Sequence, residues 1–185
     1  MPPGKTLRSK TGVRQLHKDF KRAHPPQVQL AFLLQDWSDA YNVGGMFRVA
    51  DACGATELVL SGKTPCPPNP MISVTSLGHH RRLPFRHFVS HEEALLKLKE
   101  EGYSLVVVEI ADGAVSYLEF VFPPKTCLVL GNEGAGVYDK VMRLCDAAVY
   151  IPMLGKGRSM NVHVSAAIVG YQAVLGVTAR GREPS

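Results

Sequence analysis

Residues 127–136 read C-L-V-L-G-N-E-G-A-G, and residues 147–162 read A-A-V-Y-I-P-M-L-G-K-G-R-S-M-N-V. Each stretch opens on an apolar, β-like run and then places Gly, Pro, Ser and Asn where a strand gives way to a helix. Two such loops leaving neighbouring strands make a pocket of backbone amides and carbonyls, the kind that holds a nucleotide-like cofactor. Function is expected there.

Outward from these loops the chain alternates strand and helix. Q-L-A-F-L-L-Q at 29–35 reads as a buried strand, and further strands are expected at 57–60, 85–89, 105–109, 126–130 and 148–151. A helix is expected over 42–53, where Val43, Met46, Phe47 and Ala50 fall at i, i+3, i+4 and i+7 and Gly54 supplies a stop. Ser90 caps a second helix running to 101, a short one covers 138–144, and a last one covers 159–175. Residues 61–72 hold Pro65, Pro67, Pro68 and Pro70 and are expected to form a loop with no element. The alternation predicts an α/β fold with a mostly parallel sheet and helices on both faces. The last helix is apolar nearly all round, so both its sides need cover, and a second copy of the chain is the expected cover on one of them.

The chain divides by charge. Its net charge is +5, yet residues 1–24 carry seven Lys and Arg against Asp19 alone, a net of +6, which leaves −1 for everything after. A basic arm at 1–24, a domain at 25–178 and a tail at 179–185 are the expected units. The arm suits a polyanion through counterion release, and equally suits a solvated tail. Pro2, Pro3 and the lack of an apolar face argue against an organelle transit peptide. No run approaches the roughly 20 apolar residues that span a bilayer, and Cys53, Cys66, Cys127 and Cys145 lack metal-ligand spacing. A reduced, cytoplasmic protein without a structural metal is expected.

Taken alone, the 131–136 loop is not G-x-G-x-x-G and lacks the Lys-Ser/Thr of a phosphate loop. Glu133 sits where an acid opposes phosphate, which points away from ATP or NAD and toward a ligand carrying a cation. Asn42 reads by itself as a helix N-cap, Arg48 as an i, i+3 partner of Asp51, and Ser159 and Asn161 as caps for the last helix.

Three strings in this order change that balance. N-V-G-G-M-F-R-V-A-D-A-C-G at 42–54, L-V-L-G-N-E-G-A-G at 128–136 and I-P-M-L-G-K-G-R-S-M-N-V at 151–162 resemble the three motifs of the SPOUT-class RNA methyltransferases. More narrowly they are similar to the TrmH/SpoU branch, which methylates ribose 2′-hydroxyls with S-adenosylmethionine. The resemblance covers about residues 28–175. It implies a C-terminal trefoil knot, against the usual rule that chains are unknotted, and a homodimer. Carried over by position, it implies catalytic roles for Asn42, Arg48, Glu133, Ser159 and Asn161. It implies cofactor contacts for Glu109, Leu130, Gly131, Asn132, Gly134, Ile151, Met153, Ser159 and Met160. Met160 stands in place of the usual Leu, and His163 where a small residue is common.

An arginine holds its proton above about pH 12, so Arg48 is expected to clamp a phosphate beside the target ribose and not to act as a base. His79, His80, Arg81, Arg82, Arg86 and His87, with Lys156 and Arg158, form the expected RNA-docking charge. The short chain favours tRNA over ribosomal RNA as substrate. A non-catalytic RNA-binding protein with the same fold, and a small-molecule methyltransferase, stay open as alternatives.

Overall fold

The computed structural model describes residue 6 and residues 8–176. The expected tail at 179–185, the domain's end at 177–178 and the start of the arm lie outside the described residues. The elements in order are α1 (Lys10–Ala23), β1 (Gln29–Gln35), α2 (Ala40–Ala52), β2 (Glu57–Ser61), α3 (Pro70–Ser76) and β3 (Phe85–Phe88). They continue with α4 (His91–Glu100), β4 (Ser104–Val108), β5 (Val115–Ser116), β6 (Lys125–Leu130), α5 (Asp139–Met142), β7 (Ala147–Tyr150) and α6 (Val162–Leu175).

One seven-stranded sheet runs β3-β2-β1-β6-β4-β7-β5, and every pairing in it is parallel. β1 shows why. Leu30, Phe32 and Leu34 face a core shared with Met46 and Phe47 of α2, Ile72 of α3 and Val169 of α6. Ala31 and Leu33 face the opposite core, built with Leu95 and Leu98 of α4 and with Val141. A strand apolar on both faces can be satisfied only by helices on both sides, as parallel sheets require.

Several boundaries differ from the sequence reading, each for a local reason. α2 begins at Ala40 because Asp39, not Asn42, caps it; the Asp39 carboxylate accepts from the Tyr41 amide at 2.8 Å. α6 begins at Val162, with Asn161 as its cap accepting from the His163 amide at 3.1 Å. The proline-rich segment does hold an element at its end: Pro70 opens α3, where a missing N–H costs nothing, and Asn69 caps it. Asp51 pairs with His79 at 2.8 Å and not with Arg48.

The arm holds a helix that the sequence reading did not expect. α1 is capped by Ser9 and has no buried residue. It also corrects the statement that the arm lacks an apolar face, since Val13, Leu16 and Phe20 recur at i, i+3 and i+7 of α1. Leu16 and Phe20 are 58% and 46% exposed. Among the described residues no helix is long and apolar enough to cross a membrane, and no group of three or more His, Cys, Asp or Glu is placed to hold a metal ion.

Candidate functional site

The carboxyl ends of β4, β6 and β7 open into a cavity of about 590 Å³. This is the edge where parallel α/β sheets bind ligands, and the volume suits a small organic molecule. Its walls come from three segments that follow those strands, 108–110, 130–136 and 150–153, together with 158–162 and Ser165 at the start of α6 and Asn42 from α2. Asn42, Glu109, Leu130, Gly131, Asn132, Glu133, Gly134, Ile151, Met153, Ser159, Met160 and Asn161 all line it. Arg48 does not. It is exposed on α2, and among the described residues it forms no ion pair.

The 131–136 loop is held on every side. Asn132 and Gly136 exchange backbone hydrogen bonds at 3.1 and 2.9 Å. The Asn132 side-chain oxygen accepts from the Gly134 and Ala135 amides, both at 2.9 Å, and its amide nitrogen donates to the Asp36 carbonyl. Gln35, fully buried at the end of β1, donates to the Gly136 carbonyl at 3.2 Å and accepts from the Tyr138 amide at 2.8 Å. The crossing is so close that a Cβ on Gly131 would lie 2.2 Å from the Gly136 carbonyl carbon, so only glycine fits.

Glu133 is tied into its own chain. Oε2 accepts from the Ser38 amide at 2.9 Å and its hydroxyl at 3.2 Å; Oε1 accepts from the Asp39 amide and from Asn42 Nδ2, both at 3.2 Å. These donors lie at the N-terminus of α2, where a negative charge is favoured. Burial acts to raise the Glu133 pKa, but the Ser38 amide and the other donors outweigh it and bring it below the ordinary glutamate value. The carboxylate therefore serves first as a latch between the loop and α2, a role that sequence spacing alone did not suggest. Glu109 is a second latch: its two oxygens accept from the Ile110 amide at 2.9 Å and the Val137 amide at 3.2 Å.

Asn42 links the two pocket loops. With Asp39 doing the capping, the Asn42 carboxamide is free to donate to Glu133 and to accept from Asn161 Nδ2 at 3.2 Å. Residues 42 and 161 thus meet although they stand 119 positions apart in sequence.

Some lining residues were not singled out as cofactor contacts: Val108, Ile110, Gly136, Tyr150, Arg158, Val162 and Ser165. Most are chain neighbours of named positions, and Ser165 is one helical turn beyond Asn161, a spacing that could have found it. The expected RNA-docking cluster is partly spent on structure. Arg86 is gripped by Glu57 at 2.7 and 2.8 Å and by Glu101 at 2.8 Å through both terminal nitrogens, so it is not free for a phosphate. The Arg86 hydrogen bonds also hold the Glu101 carboxyl below its ordinary pKa.

The fold and cavity define a parallel α/β protein with a cavity of small-molecule size between two glycine-bearing loops at the carboxyl edge of its sheet. The model of the SpoU rRNA Methylase family matches residues 29–171, and the chain belongs to that family. It is 29% identical to the tRNA (guanosine(18)-2′-O)-methyltransferase of Thermus thermophilus over 90% of this chain and 83% of that one. It is 33% identical to the 23S rRNA (guanosine(2553)-2′-O)-methyltransferase RlmP of Bacillus subtilis, over 80% of this chain and 61% of that protein. Among solved structures, the SpoU methyltransferase AviRb from Streptomyces viridochromogenes in complex with the cofactor AdoMet superposes with a TM-score of 0.72 at 27% identity. The match covers 82% of this chain and 62% of AviRb.

Proposed function

We propose that this protein transfers a methyl group from S-adenosylmethionine to a ribose 2′-hydroxyl of RNA, with tRNA the first substrate to test and ribosomal RNA the second. The observation that carries the proposal is the meeting of the three motifs, at 42, 131–136 and 151–161, around one cavity. The residues present fit the cofactor. Val108, Ile110, Leu130, Ile151, Met153 and Met160 give apolar walls for an adenine, and the loop backbone and Glu109, Asn132 and Ser159 give polar groups for a ribose and an amino acid. When bound there, the cofactor supplies an electrophilic methyl carbon on a sulfonium.

The chain's own task is alignment. Glu133, Asn42 and Asn161 hold the two loops at a fixed spacing, so that a hydroxyl oxygen can be brought in line with the methyl carbon, where orientation contributes much of the rate. Arg48, exposed outside the cavity wall, acts on the RNA as a clamp for the phosphate beside the target ribose. An Arg48→Lys enzyme keeps the charge and loses the fork, and its turnover is expected to drop.

Supporting an RNA substrate over a small molecule, α1 carries Lys10, Arg14, Lys18 and Lys21 exposed at i, i+4, i+8 and i+11, one cationic stripe along the helix. Supporting a homodimer, the outer side of α6 keeps Val164, Ile168 and Tyr171 incompletely covered, with Val164 39% and Tyr171 46% exposed. A trefoil knot is part of the same reading. Its support is that β7 inserts between β4 and β5, two consecutive strands, before the chain continues through 151–161 into α6. A cytoplasmic location is supported by the four free cysteines, Cys53, Cys66, Cys127 and Cys145. The amphipathic α1 is the feature that tests this location: a reporter carrying residues 1–24 that entered an organelle would overturn it.

The experiment is methyl transfer to unmodified tRNA and ribosomal RNA pools, followed by nucleoside mass spectrometry. A new 2′-O-methylnucleoside is expected. Methylation confined to bases would overturn the proposal.

A further inference from the structure

His163 belongs to no wall of the cavity, yet its ring fixes the residue that joins the cavity's two loops. Its Nδ1 lies 3.2 Å from Asn42 Oδ1, the atom that also accepts from Asn161 Nδ2. The sense of the Asn42 carboxamide is set by Glu133, because a carboxylate only accepts and must face the amide nitrogen. Asn42 Oδ1 therefore faces His163, and since an amide oxygen also only accepts, His163 Nδ1 carries the hydrogen. While the ring is neutral, its Nε2 is bare.

The surroundings favour the neutral form. Burial lowers the His163 pKa, and the opposing attraction of Asp39 does not cancel it. The ring stands over Gly45 of α2, where a Cβ would lie 3.5–3.6 Å from the imidazole atoms, ordinary contact distance. Asn42 and Gly45 lie at i and i+3 on one line of α2, so the imidazole covers the helix one turn beyond the carboxamide it holds. The same residue's amide is the one that Asn161 caps. Side chain and backbone of His163 are thus both bound into the junction of α2, α6 and the 131–136 loop.

We infer that His163 is a positioning residue: a neutral imidazole protonated on Nδ1 which, with Asn161, clamps the Asn42 carboxamide against Glu133 and so sets the spacing between the 131–136 and 151–161 loops. The inference rests on the function proposed above, for which that spacing is the alignment of methyl donor and acceptor. His163 acts through Asn42 and not on the reacting atoms.

Two measurements on the full chain test it. The first is nitrogen-15 NMR of histidine-labelled protein, with the His163 signal assigned by its loss in His163→Gln. The expected signature is a protonated Nδ1 and a bare Nε2, and the reverse tautomer would overturn the inference. This readout needs neither cofactor nor RNA, so it is separate from any failure of methyl transfer. The second compares His163→Leu, which removes the donor, with His163→Gln, which keeps an N–H within reach, both first shown to unfold with wild-type cooperativity. His163→Leu is expected to weaken S-adenosylmethionine binding and lower kcat by about fivefold each, with KM for RNA unchanged, and His163→Gln to restore most of both. A folded His163→Leu protein with wild-type cofactor affinity and kcat would contradict the inference.

Discussion

The two loops that form the cavity are built in opposite ways. Along 131–138, the amides of Asn132, Gly134, Ala135, Gly136, Val137 and Tyr138 all have protein acceptors. Along 152–160, among the described residues, no backbone or side-chain group makes a hydrogen bond to the protein, and Leu154 is 99% exposed. The second loop is fixed only where it leaves β7 and where Asn161 meets Asn42. One wall is thus set before any ligand arrives, and the other has its polar groups free for one. A rigid wall gives a fixed place to align a reacting atom; a wall with unspent amides gives affinity and can adapt.

Substitutions can break this contrast, and the largest effects belong in the rigid wall. Gly131→Ala drives a methyl group into the backbone of Gly136 and Val137, at 2.2–2.4 Å. A loss of about 3 kcal/mol in urea unfolding and of cofactor binding is expected, since neither neighbour is a side chain that can swing away. Gln35→Leu leaves the Tyr138 amide without its acceptor, takes one of two donors from the Gly136 carbonyl, and removes a fully buried carboxamide that joins them. About 2 kcal/mol should be lost in the same assay.

Glu133→Gln is the next smaller step and carries a pH signature. The folded Glu133 pKa is depressed, so its latch contributes stability fully above the unfolded glutamate value of about 4.3 and loses it as pH falls through the lower folded value. Thermal midpoints from pH 7 down to 3 should fall more steeply for wild type than for Glu133→Gln, with the two curves converging in acid. At the bottom of the series, Leu154→Ala in the other wall should change unfolding by no more than about 0.5 kcal/mol.

The sheet and its helices were legible because parallel strands buried on both faces write continuous apolar runs, as β1 and β6 do. The cavity's lining was legible through the order of three motifs and their resemblance to a family, since glycines at a strand end serve turns of every kind and by themselves mark no site. What was not legible was the partner of each side chain. Nothing in the string G-N-E-G-A-G says that Glu133 reaches the amides of Ser38 and Asp39, about 95 residues away. Asn42 read as a cap because Asp39, three residues earlier, was not weighed against it. α1 was hidden because Gly12 and five Lys and Arg mask a period of only three large apolar residues. α3 was hidden because prolines read as breakers even where one of them starts a helix.

The most direct test of this two-walled site is amide hydrogen exchange of the full chain, with and without S-adenosylmethionine. The contrast requires residues 131–138 to be protected already in the free protein and to change little, while residues 153–160 exchange fast and slow markedly on binding. Protection that appears in 131–138 with 153–160 unaltered, or no change anywhere at saturating cofactor, would contradict it.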